Sequence, residues 1–239
     1  MPTRILPRTD DTRSTALFVC NFKWNATVNP SDRLITAAQF STLSLRIPLW
    51  NNARDAAANL LHAQTTATAT VNSTFANLGR YVSHFIQVFN LAIARGIFTA
   101  SDRTYYQLDA SSTVLPSLAS TADLRLWAGR IATGEAARVL AGGTPMAMPS
   151  AAQVATALTS FNAAETTQTS AKTAYDIGQE AVSNQRPAVD PLILDLWDTI
   201  EYNLRANDPT SLRRKAREWG VTYDNDETEA PLPPVPPVP

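Results

Sequence analysis

The sequence has 239 residues, with 20 lysines and arginines against 21 aspartates and glutamates. This balanced charge gives no reason to expect nucleic acid or a membrane surface as the main partner. The single cysteine, Cys20, excludes an internal disulfide and a cysteine-based metal cluster. We expect this thiol to be a small buried hydrophobe, the alternative being a reactive or intermolecular thiol.

Residues 1–8 contain no uninterrupted apolar core, so we expect no signal peptide. No apolar run approaches the roughly 18 residues that a membrane helix needs, and we expect no span. The expected location is cytoplasmic, or an assembly exported without a cleaved signal. Alanine and threonine are abundant, while Leu, Ile, Val and Phe form only about a fifth of the chain. Such small side chains favour helices that approach one another closely.

Residues 1–30 differ from the rest of the chain. Apolar residues alternate with smaller or polar ones at Phe18, Cys20, Phe22 and Trp24. This alternation predicts a strand, but a lone strand leaves its backbone groups without partners. We therefore predict an extended N-terminal arm over 1–30, whose three aromatic side chains bind a neighbouring subunit. The alternative is an irregular segment whose aromatic residues pack on the helices.

Two helices are predicted after Pro30. The first runs to about Arg46 and ends at Pro48, because proline interrupts a helix. The second covers residues 52–95 and would be roughly 66 Å long at 1.5 Å per residue, too long to bury its apolar stripe alone. That stripe follows the three- and four-residue spacing of one helix face. It consists of Val71, Phe75, Leu78, Val82, Phe85, Ile86, Phe89 and Ile93.

Two further helices are predicted in the middle of the chain. Thr99 to Asp102 resembles a capping box and begins a short helix. A serine- and threonine-rich loop follows over 109–122, and then a helix over 122–141 that Gly142 and Gly143 end. Its expected inward residues are Leu124, Trp127, Ile131 and Val139.

Ser150 begins another long helix, whose predicted stripe is mostly small. The stripe consists of Val154, Ala157, Phe161, Ala164, Gln168, Ala171, Tyr175, Gly178 and Val182. Pro187 and Pro191 interrupt this helix, and Asp190 with Pro191 is predicted to begin a new one. The new helix has the richest apolar face of the chain, at Leu192, Ile193, Leu196, Trp197, Ile200 and Leu204. A short basic helix follows over 209–219 and ends at Gly220.

The two halves of the chain share a weak internal repeat. In each half a long Ala/Thr-rich helix leads into an aromatic-rich helix, a turn and a short arginine-bearing helix. The predicted fold class is all-α: an elongated antiparallel bundle of two long helical hairpins over 31–222. Non-helical arms flank it, the N-terminal arm over 1–30 and an acidic, then proline-rich tail over 223–239.

The sequence near the carboxyl end carries a family resemblance. Leu196–Glu201 reads LWDTIE and Ser211–Val221 reads SLRRKAREWGV. Over about Pro191 to Tyr223, the chain resembles the end of a group of uncharacterised bacterial helical proteins. The resemblance implies an α-helical fold and a bacterial or phage source, and it implies no particular activity.

Convergent catalytic groups are not evident in the sequence. His62 and His84 are 22 positions apart, which places them about 33 Å apart on one helix. The acidic series Asp195, Asp198 and Glu201 lacks the Glu-x-x-His pairs of di-metal bundles. Neither a phosphate-binding loop nor a nucleophile turn occurs. We predict no catalytic, cofactor-binding or metal-binding residues, no enzyme activity and no small-molecule substrate.

Two segments are candidate contacts for macromolecules. Arg213, Arg214, Lys215 and Arg217 could neutralise nucleic-acid phosphates, the alternative being a solvated helix face. The tail over 231–239 is predicted to form polyproline II, and its apolar residues Leu232, Val235 and Val238 are candidate partner contacts. The alternative for the tail is a disordered or loosely docked extension.

The predicted function is structural. Copies of the chain are expected to self-associate through helix faces and arms into an oligomer such as a filament, shell or appendage. The alternative is a nucleic-acid-associated helical protein that uses the basic helix 209–219. A third alternative is an enzyme whose site forms between subunits.

Overall fold

A computed structural model describes residues 3–224, and within them the chain is helical. The α-helices are α1 (Asp10–Ala26), α2 (Ala37–Ala94), α3 (Thr121–Leu140), α4 (Ala151–Ser183), α5 (Arg186–Leu204) and α6 (Pro209–Arg217). Two 3-10 helices cover Pro30–Asp32 and Ala100–Tyr106. Residues 3–224 contain no strand, only an isolated bridge between Arg4 and Tyr223. The all-α class predicted from the sequence is confirmed.

The chain divides into two compact units. Among the described residues, unit 1 combines residues 3–59 with residues 176–224, and unit 2 is the continuous stretch 60–175. Helices α2 and α4 contribute residues to both units. Across residues 3–224, none of the helices combines the length and the hydropathy that crossing a bilayer requires.

Helix α1 replaces the extended segment that the sequence predicted. Thr9 begins the helix through a capping box, in which its side chain accepts a hydrogen bond from the Thr12 N–H at 3.2 Å and the Thr12 hydroxyl accepts one from the Thr9 N–H at 3.1 Å. Buried apolar residues recur at helical spacing at Leu17, Cys20 and Trp24. The alternation that predicted a strand covers residues 18–24, whereas the three- and four-residue spacing of the buried residues covers residues 17–24. The predicted strand and N-terminal arm are therefore wrong for residues 10–26.

Unit 1 has a core built from α1, the first part of α2, the end of α4, α5 and α6. Trp50 of α2, Leu17 of α1 and Trp197 of α5 are among its fully buried side chains. The apolar face predicted for α5 is buried throughout, which confirms it. Cys20 is also in this core, and burial raises the pKa of its thiol to about 12. The thiol is therefore protonated and packed, as predicted.

Helix α2 continues through Pro48, where the sequence predicted a helix end. Proline removes one backbone donor and leaves the carbonyl of the residue four positions earlier, Ser44, without its helical partner. Ser44 and Pro48 are both exposed, so water can bond that carbonyl. The prediction of two separate helices is wrong, because an exposed proline need not end a helix that is packed on its opposite face.

Unit 2 has its own core, formed by α2 from residue 60, α3, the first part of α4 and the second 3-10 helix. The stripe predicted on α2 contributes Leu78, Val82, Phe85, Ile86 and Phe89 as buried residues, which confirms it. Phe75 of α2 contacts Phe161 of α4 edge to face, with ring centroids 5.9 Å apart. Gln168 Nε2 donates to Thr68 Oγ1 at 3.3 Å. In these two contacts the residue number increases along α2 while it decreases along α4. The two helices are therefore antiparallel within unit 2.

Helix α3 begins and ends within a residue of its predicted bounds, and its N-cap is Ser120. Gly142 follows the helix with φ of +94°, a conformation that glycine adopts without strain, and this confirms the predicted stop. The buried face differs in part from the prediction. It consists of Leu124, Ala128, Ile131, Gly134, Glu135 and Arg138. Val139, predicted to face inward, is 37% exposed, because the face includes a buried charged pair that the apolar pattern missed.

The start of α4 at Ser150 is confirmed. The Gln153 N–H donates to Ser150 Oγ at 3.2 Å, and Gln153 Oε1 accepts from the Ser150 N–H at 2.9 Å. Helix α5 begins at Arg186 rather than at 190–191. Pro187 lies in its first turn, where a missing N–H leaves no helical bond unmade. The predicted start was therefore a few residues late.

Candidate self-association surfaces

The three aromatic residues predicted to bind a partner lie on α1, and their environments differ. Trp24 is buried in unit 1, where its ring stacks on Phe40 at 4.7 Å and Arg33 lies over it at 4.4 Å. Phe22 is 48% exposed, and its ring lies 6.3 Å from that of Phe18. Trp24 is therefore a core residue and not a partner contact. Phe22 stays a candidate.

The predicted contacts of the tail, Leu232, Val235 and Val238, lie outside the described residues. The chain just before the tail is fixed in unit 1. Backbone hydrogen bonds pair residues 3–5 with residues 222–224, from the Ile5 N–H to the Thr222 carbonyl at 2.9 Å and from the Asp224 N–H to the Thr3 carbonyl at 3.0 Å. The tail therefore continues from an anchored position on unit 1.

Polar side chains strengthen that anchor. The Tyr223 hydroxyl donates to Glu201 Oε1 at 2.5 Å, and Arg4 Nη1 lies 2.9 Å from Glu201 Oε2 and 2.7 Å from Asp198 Oδ1. Burial, together with the hydrogen bond to the Glu201 carboxylate, raises the pKa of Tyr223. Asp198 and Glu201 thus bind Arg4, and Glu201 also binds Tyr223.

The basic residues considered for nucleic-acid binding lie on α6. Lys215 Nζ donates to Asn207 Oδ1 at 2.7 Å, and the Arg217 guanidinium lies over the Tyr223 ring at 5.5 Å from its centroid. Arg213 is half-buried and Arg214 is exposed. The structure therefore brings the four cations onto one short helix but engages part of the cluster within unit 1.

Unit 2 carries a long band without formal charge. Helix α2 has no Asp, Glu, Lys or Arg from Leu60 to Gly79, and α4 has none from Ala151 to Ala164. An open groove of about 440 Å³ lies along these two segments, with Thr167 just beyond the second. It is lined by His62, Ala63, Thr66, Ala67, Thr70, Ala164 and Thr167. We call the two uncharged helix segments the neutral band.

The threonines of the neutral band bond within their own helices. The Thr70 hydroxyl donates to the Thr66 carbonyl at 3.0 Å, and the Thr159 hydroxyl donates to the Ala155 carbonyl at 3.0 Å. Thr65, Thr68, Thr74 and Thr156 make the same bond to the carbonyl four residues earlier. Because these hydroxyls are already bonded, covering the band strands few polar groups. The band is therefore suited to burial against another surface.

A second groove in unit 2 has different chemistry. It has a volume of about 400 Å³ and lies where α2 faces the loop before α4. We call it the Arg80 groove. It is lined by Asn77, Arg80, Tyr81, His84, Val88, Met148, Pro149 and Gln153.

The Arg80 groove presents donors without internal partners. Within residues 3–224, neither the Arg80 guanidinium nor the His84 imidazole makes a side-chain hydrogen bond or ion pair, and both residues are exposed. The two lie four positions apart on α2, so they share a helix face. Val88, 37% exposed, and Met148, 74% exposed, add apolar surface beside them. The groove therefore combines a cation, an imidazole and apolar contacts.

A buried polar cluster in unit 2 is the group of residues to consider first as a possible catalytic site. The Glu135 carboxylate accepts hydrogen bonds from the Tyr106 hydroxyl, from the Met146 N–H at 2.6 Å, and from Arg138 Nη2 at 3.0 Å. Arg138 also donates to the Thr144 carbonyl at 2.7 Å. Burial and the bond to Glu135 raise the pKa of Tyr106. These groups satisfy one another and line neither groove, so the cluster fastens the loop after α3 to the core.

Metal-binding residues do not converge in the described part of the chain. Across residues 3–224, no group of three or more His, Cys, Asp or Glu side chains is arranged to hold an ion. His62 lines the groove in the neutral band, whereas His84 lines the Arg80 groove.

Comparisons with known proteins identify no relative. No family model matches the chain, and neither a curated protein nor a solved structure is similar enough to count as a match. The resemblance of residues 191–223 to bacterial helical proteins stays a prediction. Function is therefore inferred from the surfaces and contacts of this chain itself.

Sequence reasoning missed both grooves and the buried pair of Glu135 and Arg138. The buried pair had a signal, since positions 124, 128, 131, 135 and 138 continue one helical stripe with steps of four and three. For the Arg80 groove the sequence indicates only the wall on α2, through the four-residue spacing of Arg80 and His84. Its other wall comes from a loop much later in the sequence, since Met148 lies 68 positions after Arg80.

Proposed function

We propose that this protein is a structural component that self-associates, forming an oligomer such as a filament, shell or appendage. The neutral band is the observation that carries the proposal. Interface cores are depleted in charged residues, and an uncharged band of alanine and threonine on two neighbouring helices has that composition. The band buries few unsatisfied polar groups when it is covered.

Exposed apolar side chains inside and outside the band add surface for contact between copies. Leu61 and Phe22 are 46% and 48% exposed, and Leu140 is 90% exposed. Single exposed hydrophobic residues are common, but a band without charge lowers the desolvation penalty of covering them. The predicted arrangement of two long antiparallel hairpins, with the C-terminal arm in contact between copies, is part of this proposal. The antiparallel contact of α2 and α4 within unit 2 supports it.

A charge placed in the neutral band tests the proposal. Thr70→Glu introduces a carboxylate at an exposed position of α2 inside the band, and we expect it to raise the concentration at which copies associate by about tenfold or more. Thr42→Glu is the matched control, because Thr42 is also exposed on α2 and its hydroxyl makes the same bond four residues back, at 3.1 Å. Light scattering coupled to size-exclusion chromatography measures the mass of both. A wild-type chain that stays monomeric at high micromolar concentration would refute the proposal.

Nucleic-acid binding through α6 is the second proposal. Arg214 and Lys215 are exposed on adjacent positions, and a helix with several cations can neutralise phosphates. The Lys215 contact to Asn207 and the Arg217 contact to Tyr223 compete with such a role. Arg214→Ala with Lys215→Ala should abolish any salt-dependent binding of a fluorescent DNA or RNA oligonucleotide. Absence of wild-type binding at about 50 mM salt, where phosphate contacts are strong, would remove the proposal.

A further inference from the structure

We infer that the Arg80 groove binds the acidic and proline-rich segment 226–238 of a second copy of this chain. The inference rests on the self-association proposed above and names one of its contacts. It depends on the chemistry of two parts of the same sequence, the groove on unit 2 and the segment that follows the anchored Tyr223.

The groove offers one polar end and one apolar side. Arg80 and His84 are exposed, have no side-chain partner within residues 3–224, and lie next to each other on α2. No aspartate or glutamate lines the groove, so a ligand carboxylate there meets donors and no repulsion. Val88, Met148 and Pro149 provide the apolar contacts. The groove therefore fits a ligand that is acidic at one point and apolar beside it.

The segment has this composition in the same order. Asp226, Glu227 and Glu229 form its acidic part, and residues 231–238 contain only proline, leucine and valine. Proline-rich segments lose little conformational entropy on binding, and they bind in grooves that present aromatic rings. Tyr81 supplies such a ring in the Arg80 groove.

The lengths of the two surfaces agree. From Arg80 to Val88, α2 advances eight residues, or about 12 Å at 1.5 Å per residue. In the polyproline II conformation predicted from the sequence, the step from Glu229 to Leu232 or Val235 would be about 9 to 19 Å at 3.1 Å per residue. A glutamate at Arg80 therefore places the first apolar side chains of the segment near Val88 and Met148.

The occupant is assigned to a second copy because each chain carries one groove and one such segment. The segment begins just after Tyr223, which Glu201 and the bridge to Arg4 hold in place. An exchange of segments between copies gives each copy two equivalent contacts, which is the usual way in which identical chains associate. Because this contact involves charged residues, charge-reversal substitutions can test it.

Charge reversal on both sides tests the pairing in the full chain. Arg80→Glu should raise the concentration at which the chains associate by about tenfold, and so should the triple change Asp226→Lys, Glu227→Lys and Glu229→Lys. Combining all four changes should restore association to within about threefold of wild type, because opposite charges then face each other again. Lys172→Glu is the control for net charge, since Lys172 is exposed on α4 of unit 2 outside the groove. Equal effects of Arg80→Glu and Lys172→Glu, or no recovery in the combined variant, would overturn the inference.

A photo-crosslink identifies the occupant directly. Benzoylphenylalanine placed at Met148, in a mixture of nitrogen-14 and nitrogen-15 chains, should crosslink to residues 226–238, and mass spectrometry should find crosslinks that join light and heavy chains. Crosslinks confined to single chains would assign the groove to the chain's own segment and overturn the inference. An oligomer that is sensitive to Thr70→Glu but forms no crosslink to this segment would refute the groove contact and would leave the proposal of self-association intact. Monomeric wild-type chains would instead refute self-association.

Discussion

The two units differ in the number of their exposed ion pairs and in the burial of one pair. In unit 1, ion pairs join residues far apart in the sequence: Arg13 with Asp190, Arg186 with Asp10, Arg4 with Asp198 and Glu201, and Lys23 with Glu218. At least one partner is substantially exposed in each of these pairs except that of Arg4 with Glu201, whose side chains are 22% and 28% exposed. Unit 2 has one exposed pair of this kind, Arg125 with Glu165, and in addition the pair of Glu135 and Arg138, which is three positions apart and almost fully buried.

The difference sets what each unit responds to. Exposed ion pairs contribute about 1 kcal/mol or less, and salt and pH weaken them. A buried pair adds little net stability, but removing one partner leaves an uncompensated charge and destabilises by about 3 to 5 kcal/mol. Unit 1 is therefore expected to respond to solution conditions, and unit 2 to single substitutions.

The largest expected effect separates the buried pair from an exposed one. Glu135→Ala should lower the free energy of unfolding of unit 2 by about 3 to 5 kcal/mol, because Arg138 stays buried without its carboxylate. Asp190→Ala, which removes the exposed partner of Arg13, should lower that of unit 1 by about 1 kcal/mol. Hydrogen exchange with mass spectrometry in urea assigns each loss to a unit.

The double change Glu135→Leu with Arg138→Met is the control for this contrast. Because it removes both charges, it should destabilise unit 2 less than Glu135→Ala alone. A larger loss in the double variant, or equal losses for Glu135→Ala and Asp190→Ala, would contradict the contrast between the units.

The next effect concerns two glycines of α3. A Cβ added at Gly134 would lie 2.5 Å from the carbonyl oxygen of Tyr105, a backbone atom, so Gly134→Ala should destabilise unit 2 by about 1 to 3 kcal/mol. A Cβ at Gly129 meets nothing within 4 Å, and Gly129→Ala should stabilise the helix by about 0.5 to 1 kcal/mol. Thermal unfolding compares the two variants, and changes of the same sign would show that the close approach at Gly134 is not limiting.

Salt is expected to change the stability of the two units by different amounts, and by less than the substitutions above. Raising sodium chloride to about 1 M shortens the screening length to about 3 Å, so exposed ion pairs lose most of their attraction. We expect the protection of unit 1 amides to fall relative to that of unit 2 amides, measured by hydrogen exchange at constant pH. An equal change in both units would remove the electrostatic part of the comparison.

The smallest effect is the acid dependence of Asp10. Its hydrogen bond to Arg186 lowers the pKa of this carboxyl despite partial burial, and Arg13 and Arg54 lower it further. A carboxyl whose pKa is lower in the folded chain stabilises above its unfolded value of about 3.9, and this contribution is lost as pH falls through the folded value. Unit 1 should therefore lose stability below about pH 4. Asp10→Asn should flatten that part of the thermal-unfolding profile, and an unchanged slope would exclude Asp10 as its source.

The sequence predicted what depends on local periodicity. The stripes of α2 and α5, the Ser150 and Thr99 capping boxes and the stop at Gly142 follow from neighbouring residues. It failed where a distant contact decides. Pro48 is tolerated because α2 packs elsewhere along its length, and α1 becomes helical because unit 1 buries Leu17 and Trp24. The Arg80 groove needs a wall from another part of the chain, which periodicity cannot supply.

The division of the chain also fixes an order of events on the ribosome. All of residues 60–175 are made before α5, while α1 must wait for partners such as Asp190, which lies 177 positions after Arg13. At about 5 to 20 residues per second, that wait lasts roughly 10 to 35 s. During this time the apolar side of α1 lacks its cover from α5, so a nascent chain is open to chaperones at its amino end until shortly after residues 60–175 have been made.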